Sequence, residues 1–131
     1  MLINPNHLAS LFHTTLTLNA IFFLFYGIQC FRSPALAADF RRFNLPDSQR
    51  ILTGVLQLLG SSGLIVGLAV PVIGGLASGG LALMMLIAFI IRLKVGDGVI
   101  ESAPSLIFLV INTWISYSFY TLLQGGFTGV Q

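Results

Sequence analysis

Residues 51–91 read ILTGVLQLLGSSGLIVGLAVPVIGGLASGGLALMMLIAFII, and this stretch contains no charged side chain. A helix rises about 1.5 Å per residue and the hydrocarbon core of a bilayer is about 30 Å thick, so one helix over the whole stretch would far overshoot a membrane. Pro71 lacks a backbone donor and interrupts a continuous helix. The stretch therefore predicts a tight hairpin of two antiparallel spans, at about 51–70 and 73–91.

Two further uncharged stretches flank this hairpin, at about 8–31 and 102–123. Of the 131 residues only 8% are charged and 56% are apolar, with a mean hydropathy of +0.94, which is too little charge to cover a soluble globule. We therefore expect an all-α fold, a bundle of four transmembrane helices forming one membrane domain over 1–131. The start of the chain lacks a basic region and a small-residue cleavage site, so we expect the first stretch to be retained rather than removed as a signal peptide.

The basic residues predict the orientation of the bundle. All six fall in two connections, 32–50 and 92–101, and none lies elsewhere: Arg32, Arg41, Arg42, Arg50, Arg92 and Lys94. Cytoplasmic loops of membrane proteins carry such an excess of cations. We expect both connections to be cytoplasmic and both termini to lie on the opposite side, in a multi-pass arrangement.

The connection 32–50 is predicted to contain a short amphipathic helix, at about 34–44. Ser33-Pro34 is typical of an N-cap followed by proline at the first helical position. Its two sides differ: Leu36, Phe40 and Phe43 form one, and Asp39, Arg41 and Arg42 form the other. This pattern favours a helix lying in the membrane interface, where it anchors the chain and sets its topology. Recognition of anionic lipid or of a partner by Arg41 and Arg42 is the alternative. Asp47 is expected to cap the next span.

Small residues predict where the helices pack. In lipid, helices associate by close backbone contact, so glycines mark the seams: Gly60, Gly63 and Gly67 in the second span, and Gly75 and Gly79 in the third. We assign these to the hairpin contact, with a homodimer seam as the alternative. Asn19 and Asn112 both lie about 15–18 Å from the cytoplasmic ends of their helices, so they can join the first and last spans by hydrogen bonds.

Two groups of polar residues are candidate sites. Gln57 lies about 9 Å deep, within reach of Arg92 and Lys94, and with Tyr26 and Asn112 it defines a candidate polar pocket of Gln57, Asn112, Tyr26 and Arg92. We favour the alternative that these amides join helices. The second group is Arg92, Lys94, Asp97 and Glu101, where ion pairs around a Gly-Asp-Gly turn would form an anion or headgroup site, or serve only the topology of the loop. Candidate interface or lipid residues are Arg41, Arg42, Phe40, Phe43, Arg92, Lys94 and Asp97.

Several function classes are not favoured. Cys30 is the single cysteine, and His7 and His13 are not spaced as ligands on one helical face, so we predict no metal site. No basic stripe tracks a phosphate backbone, so we expect no nucleic-acid partner. We find no catalytic set and do not favour an enzyme. A channel or transporter is disfavoured because the spans lack charge and paired broken helices.

In its order of motifs the chain resembles the DoxX-like family of small four-helix membrane proteins. The matching pieces are Phe25-Tyr26-Gly27, Phe40-Arg41-Arg42-Phe43 with Leu45-Pro46, the stretch 53–64 TGVLQLLGSSGL, Pro71, 81–85 LALMM, 92–97 RLKVGD and Pro104. The resemblance implies a bacterial-type inner-membrane protein whose relatives look like members of redox-linked complexes or assembly factors. It transfers no catalytic residue, and the lone Cys30 would leave a thiol-based quinone reduction without its second sulfur.

These observations lead to two hypotheses about function. The first is a non-catalytic accessory or scaffold subunit, whose partners are the lipid bilayer and other integral membrane proteins or a second copy of the chain. The alternative is a quinone-linked or lipophilic-ligand-binding redox protein, with quinone or lipid as the ligand in a pocket between the helices.

Overall fold

The computed structural model describes residues 5–124, and these form an all-α fold, as predicted. The helices are α1 (Pro5–Arg32), α2 (Pro34–Arg42), α3 (Asp47–Val66), α4 (Pro71–Lys94) and α5 (Val99–Leu123). They cover the five helical segments expected from the sequence.

The four long helices pack in a ring, α1 on α3, α3 on α4 and α4 on α5. Large side chains rather than close backbones join α1 to α5. Phe22 stacks on Phe108 with ring centroids 4.1 Å apart, and Phe12 meets Phe119 edge-on at 5.2 Å. The apolar core lies in this ring and includes Phe12, Leu16, Phe23, Leu64, Leu81, Ile115 and Phe119, each at most 1% exposed. The seam between α1 and α5 is therefore aromatic and loosely closed.

Glycines set the distance between α3 and α4. A Cβ on Gly67 would lie 2.4 Å from the Cα of Gly74, so the two backbones touch beside the turn. Farther along the hairpin, a Cβ on Gly63 would meet Ala77 at 2.8 Å. The two helices therefore run side by side for much of their length, in the manner of small-residue packing in membranes.

Gly75 and Gly79 lie on a different seam. Positions for their Cβ atoms are each 3.5 Å from α5 atoms, the Cβ of Phe119 and the Oγ of Ser116 respectively. The Ser116 hydroxyl donates to the Gly75 carbonyl at 3.2 Å. The Cβ direction of Gly74 also points at α5, toward the Phe119 ring, while its backbone lies against Gly67 of α3. The sequence predicted that Gly75 and Gly79 lie at the contact between α3 and α4. In the structure they line the contact between α4 and α5 instead.

Among residues 5–124, three helical segments are long and apolar enough to cross a membrane: Ala9–Arg32, Pro71–Lys94 and Val99–Leu123. The hairpin partner α3 is not one of them. It begins with the charged Asp47 and Arg50, and it carries Gln57 and Ser61 on its buried side. A membrane crossing by α3 stays a prediction.

The caps of α2 and α3 differ in how well the sequence indicated them. The Ser33 hydroxyl accepts a hydrogen bond from the Leu36 amide at 3.3 Å, so the N-cap of α2 is confirmed. The prediction that Asp47 caps α3 is wrong, because Pro46 occupies the cap position without a side-chain bond. Asp47 lies in the first turn and pairs with Arg50 at 3.5 Å.

Candidate functional site

The bundle centre contains a pair of asparagines. Asn19 Nδ2 donates to Asn112 Oδ1 at 2.8 Å, and Asn112 Nδ2 donates back to Asn19 Oδ1 at 3.3 Å. Asn112 also donates to the Phe108 carbonyl at 2.8 Å. Both side chains are buried, so the two amides satisfy one another across the loosely closed seam. The Asn112 side chain therefore serves to join α1 to α5 by hydrogen bonds.

A cavity of about 70 Å³ lies in the half of the bundle nearer the charged loops. Every long helix contributes to its lining, which consists of Phe22, Phe23, Tyr26, Gln57, Met85, Arg92, Pro104, Ser105 and Phe108. The structure thus brings together Tyr26, Gln57 and Arg92 from the predicted pocket, whereas Asn112 does not line this cavity. Ser105 was missed from the sequence, although it follows Ser102 by one helical turn near the start of α5.

Close packing of α1 and α3 places Gln57 at the cavity. A Cβ on Gly27 would lie 3.2 Å from Gln57 Cβ, and a Cβ on Gly54 would lie 2.9 Å from Cys30 Cβ, so the helices approach closely here. The Arg50 guanidinium also donates to the Cys30 carbonyl. Gln57 itself is 2% exposed, and within residues 5–124 its Oε1 accepts only a long contact from the Cys30 thiol, at 3.9 Å.

Arg92 connects the cavity to a charged cluster outside it. The Tyr26 hydroxyl lies beside its guanidinium, and both residues line the cavity. On its other side, Arg92 Nη1 donates to Asp97 Oδ2 at 3.2 Å, and its guanidinium lies 5.2 Å from the centre of the Phe43 ring. Arg92 thus joins the interior of the bundle to the loop after α4.

Asp97 is the centre of that cluster. Arg42 donates to both of its oxygens, at 2.7 and 3.3 Å, which ties α2 to the loop between α4 and α5. These hydrogen bonds, with the positive charges of Arg42 and Arg92, hold the pKa of Asp97 below its ordinary value. The Arg42 guanidinium lies 4.8 Å from the Phe43 ring centre, so the two cations share one aromatic ring. Gly96, with φ of 87°, supplies the left-handed turn that directs the loop back to Arg92.

The other residues predicted for an interface have varied positions. Arg41 and Lys94 are exposed, while Phe40 and Phe43 are half-buried with ring centroids 6.4 Å apart. Asp97 meets Arg42 and Arg92 rather than Lys94, the partner expected from the sequence. The lipid or partner recognition assigned to these residues stays a prediction.

A larger apolar groove, of about 500 Å³, runs along the outside of the α3–α4 hairpin. Its lining is Leu56, Leu59, Gly60, Gly63, Ile73, Leu76, Ala77, Gly80, Leu81, Leu83 and Met84. A Cβ built on Gly80 meets no other atom within 4 Å, so the groove is open above this glycine. In the part of the chain that the structure describes, no group of three His, Cys, Asp or Glu side chains is placed to hold a metal ion.

Comparison with known proteins gives one match. The model of a family described as the DoxX-like family matches residues 14–115, a segment that includes the cavity, the asparagine pair and the charged cluster. No curated protein and no solved structure matches the chain.

Proposed function

The chain belongs to the DoxX-like family of membrane proteins, and from this premise we propose that it is a non-catalytic accessory or scaffold subunit of a membrane complex. The observation that carries the proposal is the open groove on the α3–α4 hairpin. Helix association in lipid depends on close packing rather than on the hydrophobic effect, and bare glycines let a second helix approach closely. Gly80 offers such a surface outside the bundle, because nothing in the fold covers it.

Several polar side chains of the bundle are directed inward and have internal partners. Asn19 and Asn112 bond to one another, Ser61 donates to the Ala20 carbonyl at 2.8 Å, and Ser78 donates to the Gly74 carbonyl at 2.8 Å. The asparagine and Ser61 bonds join different helices, whereas the Ser78 bond lies within α4, and each satisfies the group that makes it. This pattern supports a structural role for most of the bundle.

We also propose that α3 crosses the membrane as the fourth span. Its contacts with α4 extend from Gly67 beside the turn to Gly60, whose Cβ would lie 2.8 Å from Leu81. Its contacts with α1 include Ser61 and the Cys30 contact of Gln57. A helix that runs beside two spanning helices over this distance shares their depth. Gln57 and Ser61 lower its mean hydropathy, but both are buried against protein and do not face lipid.

The proposed orientation follows from charge. All cations lie at one end of the bundle, in 32–50 and 92–101, so these loops are proposed to be cytoplasmic and both termini to lie across the inner membrane. The ion pairs of Asp97 hold α2 at that same end, which supports an interfacial position for this short helix.

The test is recovery of partners from native membranes. The tagged full-length chain is extracted in a mild detergent and its mass is measured by native mass spectrometry. The variant Gly80→Phe fills the groove, whereas the control Val110→Phe adds the same ring to an exposed position on α5. We expect a defined complex with the wild type and with Val110→Phe, and its loss with Gly80→Phe. A wild-type chain that is always recovered alone contradicts the proposal, as does a complex that Gly80→Phe leaves intact.

The alternative function, a quinone-linked or lipophilic-ligand-binding redox protein, draws support from the cavity beside Gln57. Its test is a quinone-dependent spectral change in the purified protein. Loss of this change in Gln57→Leu would favour the alternative, and the absence of any change in the wild type would argue against it.

A further inference from the structure

We propose that the 70 Å³ cavity binds a compact head that accepts hydrogen bonds, a carboxylate or a carbonyl, at the end of an apolar chain. This inference rests on the alternative function proposed above, since it names the ligand of the same cavity, and it is independent of the accessory role, which uses the outer groove. Three features of the cavity narrow the class of ligand. They are its hydrogen-bond donors without partners, its volume and the position of its opening.

The strongest evidence is the state of Gln57. This side chain is 2% exposed and lines the cavity, yet its Nε2 has no hydrogen-bond partner among residues 5–124. Burying an amide N–H without a partner in apolar surroundings is costly, so nearly all such groups in proteins are satisfied by protein, water or ligand. An acceptor inside the cavity would therefore satisfy the hydrogen-bonding capacity of this amide.

Two more donors face the same space. The Ser105 hydroxyl lines the cavity, is 7% exposed, and bonds to nothing else in the described part of the chain. Arg92 makes one 3.2 Å bond to Asp97 and has the Tyr26 hydroxyl beside it, so some of its five N–H groups remain for a ligand. The remaining lining is aromatic or aliphatic, so a group that enters meets N–H and O–H groups and one positive charge. Gln57 and Ser105 can also accept hydrogen bonds, so it is the positive charge of Arg92 that favours an accepting head over one that only donates.

The volume limits the head to a few atoms. At about 70 Å³ the cavity exceeds the roughly 10–15 Å³ that one water requires, yet it is far below the roughly 300 Å³ at the lower end of drug-sized pockets. A carboxylate or ketone enters without rearrangement. A ring-sized head requires the stacked Phe22 and Phe108 rings, 4.1 Å apart, to separate.

The position of the mouth indicates the kind of group attached to the head. Pro104 is exposed, and Phe22, Tyr26 and Phe108 are half-buried, so the cavity is bordered by surface at the aromatic seam of α1 and α5. This is the seam where the backbones approach least closely. The apolar chain of the ligand would leave the cavity through this seam. It would then lie along the aromatic side chains that face lipid.

The experiment measures the thermal unfolding midpoint of the full chain in dodecyl maltoside at about pH 8, where a carboxylic acid is ionised. The probes are decanoate, decan-2-one and decane, which share an apolar chain and differ in the head. We expect decanoate and decan-2-one to raise the midpoint by about 3 °C or more at saturation, and decane to leave it unchanged. If decanoate raises the midpoint more than decan-2-one does, the charge of Arg92 contributes to binding. If the two shifts are equal, a neutral carbonyl is sufficient as the head.

Matched variants locate the effect. Gln57→Leu should remove at least half of the shift, Ser105→Ala should reduce it, and Gln49→Leu should keep it, because Gln49 is exposed at the start of the same helix. If Gln57→Leu does not fold, Ser105→Ala decides the question. The proposal is overturned if neither head shifts the midpoint, if decane acts equally, or if the cavity variants respond like Gln49→Leu. Each of these results would mean that the cavity does not recognise the head of such a ligand.

Discussion

The hydrogen bonds between Asn19 and Asn112 join two helices whose backbones make little contact. In Asn112→Leu, the Asn19 amide keeps its buried position and loses its partner. We expect the free energy of unfolding in mixed micelles of sodium dodecyl sulfate to fall by about 0.6–2 kcal/mol, the range measured for polar contacts between membrane helices. The control Thr113→Val changes the neighbouring residue, which is exposed and bonds only within its own helix.

A double-mutant cycle separates the pair from its surroundings. Removing one partner leaves an unsatisfied group, whereas replacing both by apolar residues of similar shape is often nearly neutral. The variant with both Asn19→Leu and Asn112→Leu should therefore recover part of the loss seen in either single variant. If the two losses simply add, the asparagines do not act as a pair.

The lowered pKa of Asp97 leads to a prediction about the pH dependence of the link between α2 and the loop after α4. Hydrogen bonds from Arg42 keep the pKa of Asp97 lower than the ordinary aspartate value of about 3.9. A carboxyl with a lowered pKa stabilises the folded state above its unfolded pKa, and this contribution is lost as the pH falls through the folded value. The link between α2 and the loop should thus persist from neutral pH to below about 3.9 and then break. The carboxyl carbon shift of Asp97 in a nuclear magnetic resonance titration measures this, and a midpoint at or above the ordinary value would show that the pair does not form.

The same carboxylate can be removed without acid. In Asp97→Asn the Arg42 guanidinium loses its charged partner, so amide hydrogens of α2, residues 34–42, should exchange severalfold faster while α4 is unaffected. Asp47→Asn is the matched control, since Asp47 is exposed and pairs with Arg50 of its own helix. Equal exchange of α2 in both variants would argue that other contacts hold this helix.

At the scale of helices, the sequence predicted the elements well and their rotation less well. Uncharged length and Pro71 are local signals, so the hairpin follows directly from them. The direction in which a glycine faces depends on which helix packs there, and Gly75 and Gly79 meet α5 for this reason. Asp47 failed as a cap because α3 begins at this residue itself, one position earlier than a cap there requires, with Pro46 before it.

Two glycines on the hairpin test the role of close packing. In Gly67→Ala the new Cβ would meet the Gly74 backbone at 2.4 Å, so the helices must separate, and we expect a loss of about 1–3 kcal/mol in unfolding free energy. In Gly80→Ala the Cβ meets nothing within 4 Å, and alanine favours a helix, so stability should be unchanged or rise by up to about 1 kcal/mol. Thermal unfolding of the two variants in one detergent checks the contrast. Similar losses in both would mean that close contact at Gly67 is not what holds the hairpin.

At the scale of the whole molecule, the depth of a residue along the bundle was easier to predict than the direction in which its side chain points around the helix axis. Counting residues from the charged ends placed Asn19 and Asn112 at similar depth, and the structure joins them. The same count put Gln57 near Arg92, and these two residues share the cavity. It could not show that Asn112 turns toward Asn19 and away from that cavity, nor that Ser105 turns into it, because both depend on how four helices rotate against each other.

The crossing by α3 is the remaining question for the whole molecule, and labelling of cysteines in intact cells addresses it. After Cys30→Ser, single cysteines are introduced as Ser48→Cys, Ala69→Cys and Val95→Cys, at exposed uncharged positions in the first turn of α3, in the hairpin turn and after α4. These changes leave every cation in place, so they do not disturb the charges that set the topology. If α3 crosses, Ala69→Cys should react with an impermeant maleimide added outside, while the other two should react only after the membrane is opened. Reaction of Ser48→Cys and Ala69→Cys from one side and of Val95→Cys from the other would place α3 outside the hydrocarbon and contradict the shared cytoplasmic face on which the orientation rests. Reaction of all three from one side would mean that neither α3 nor α4 crosses.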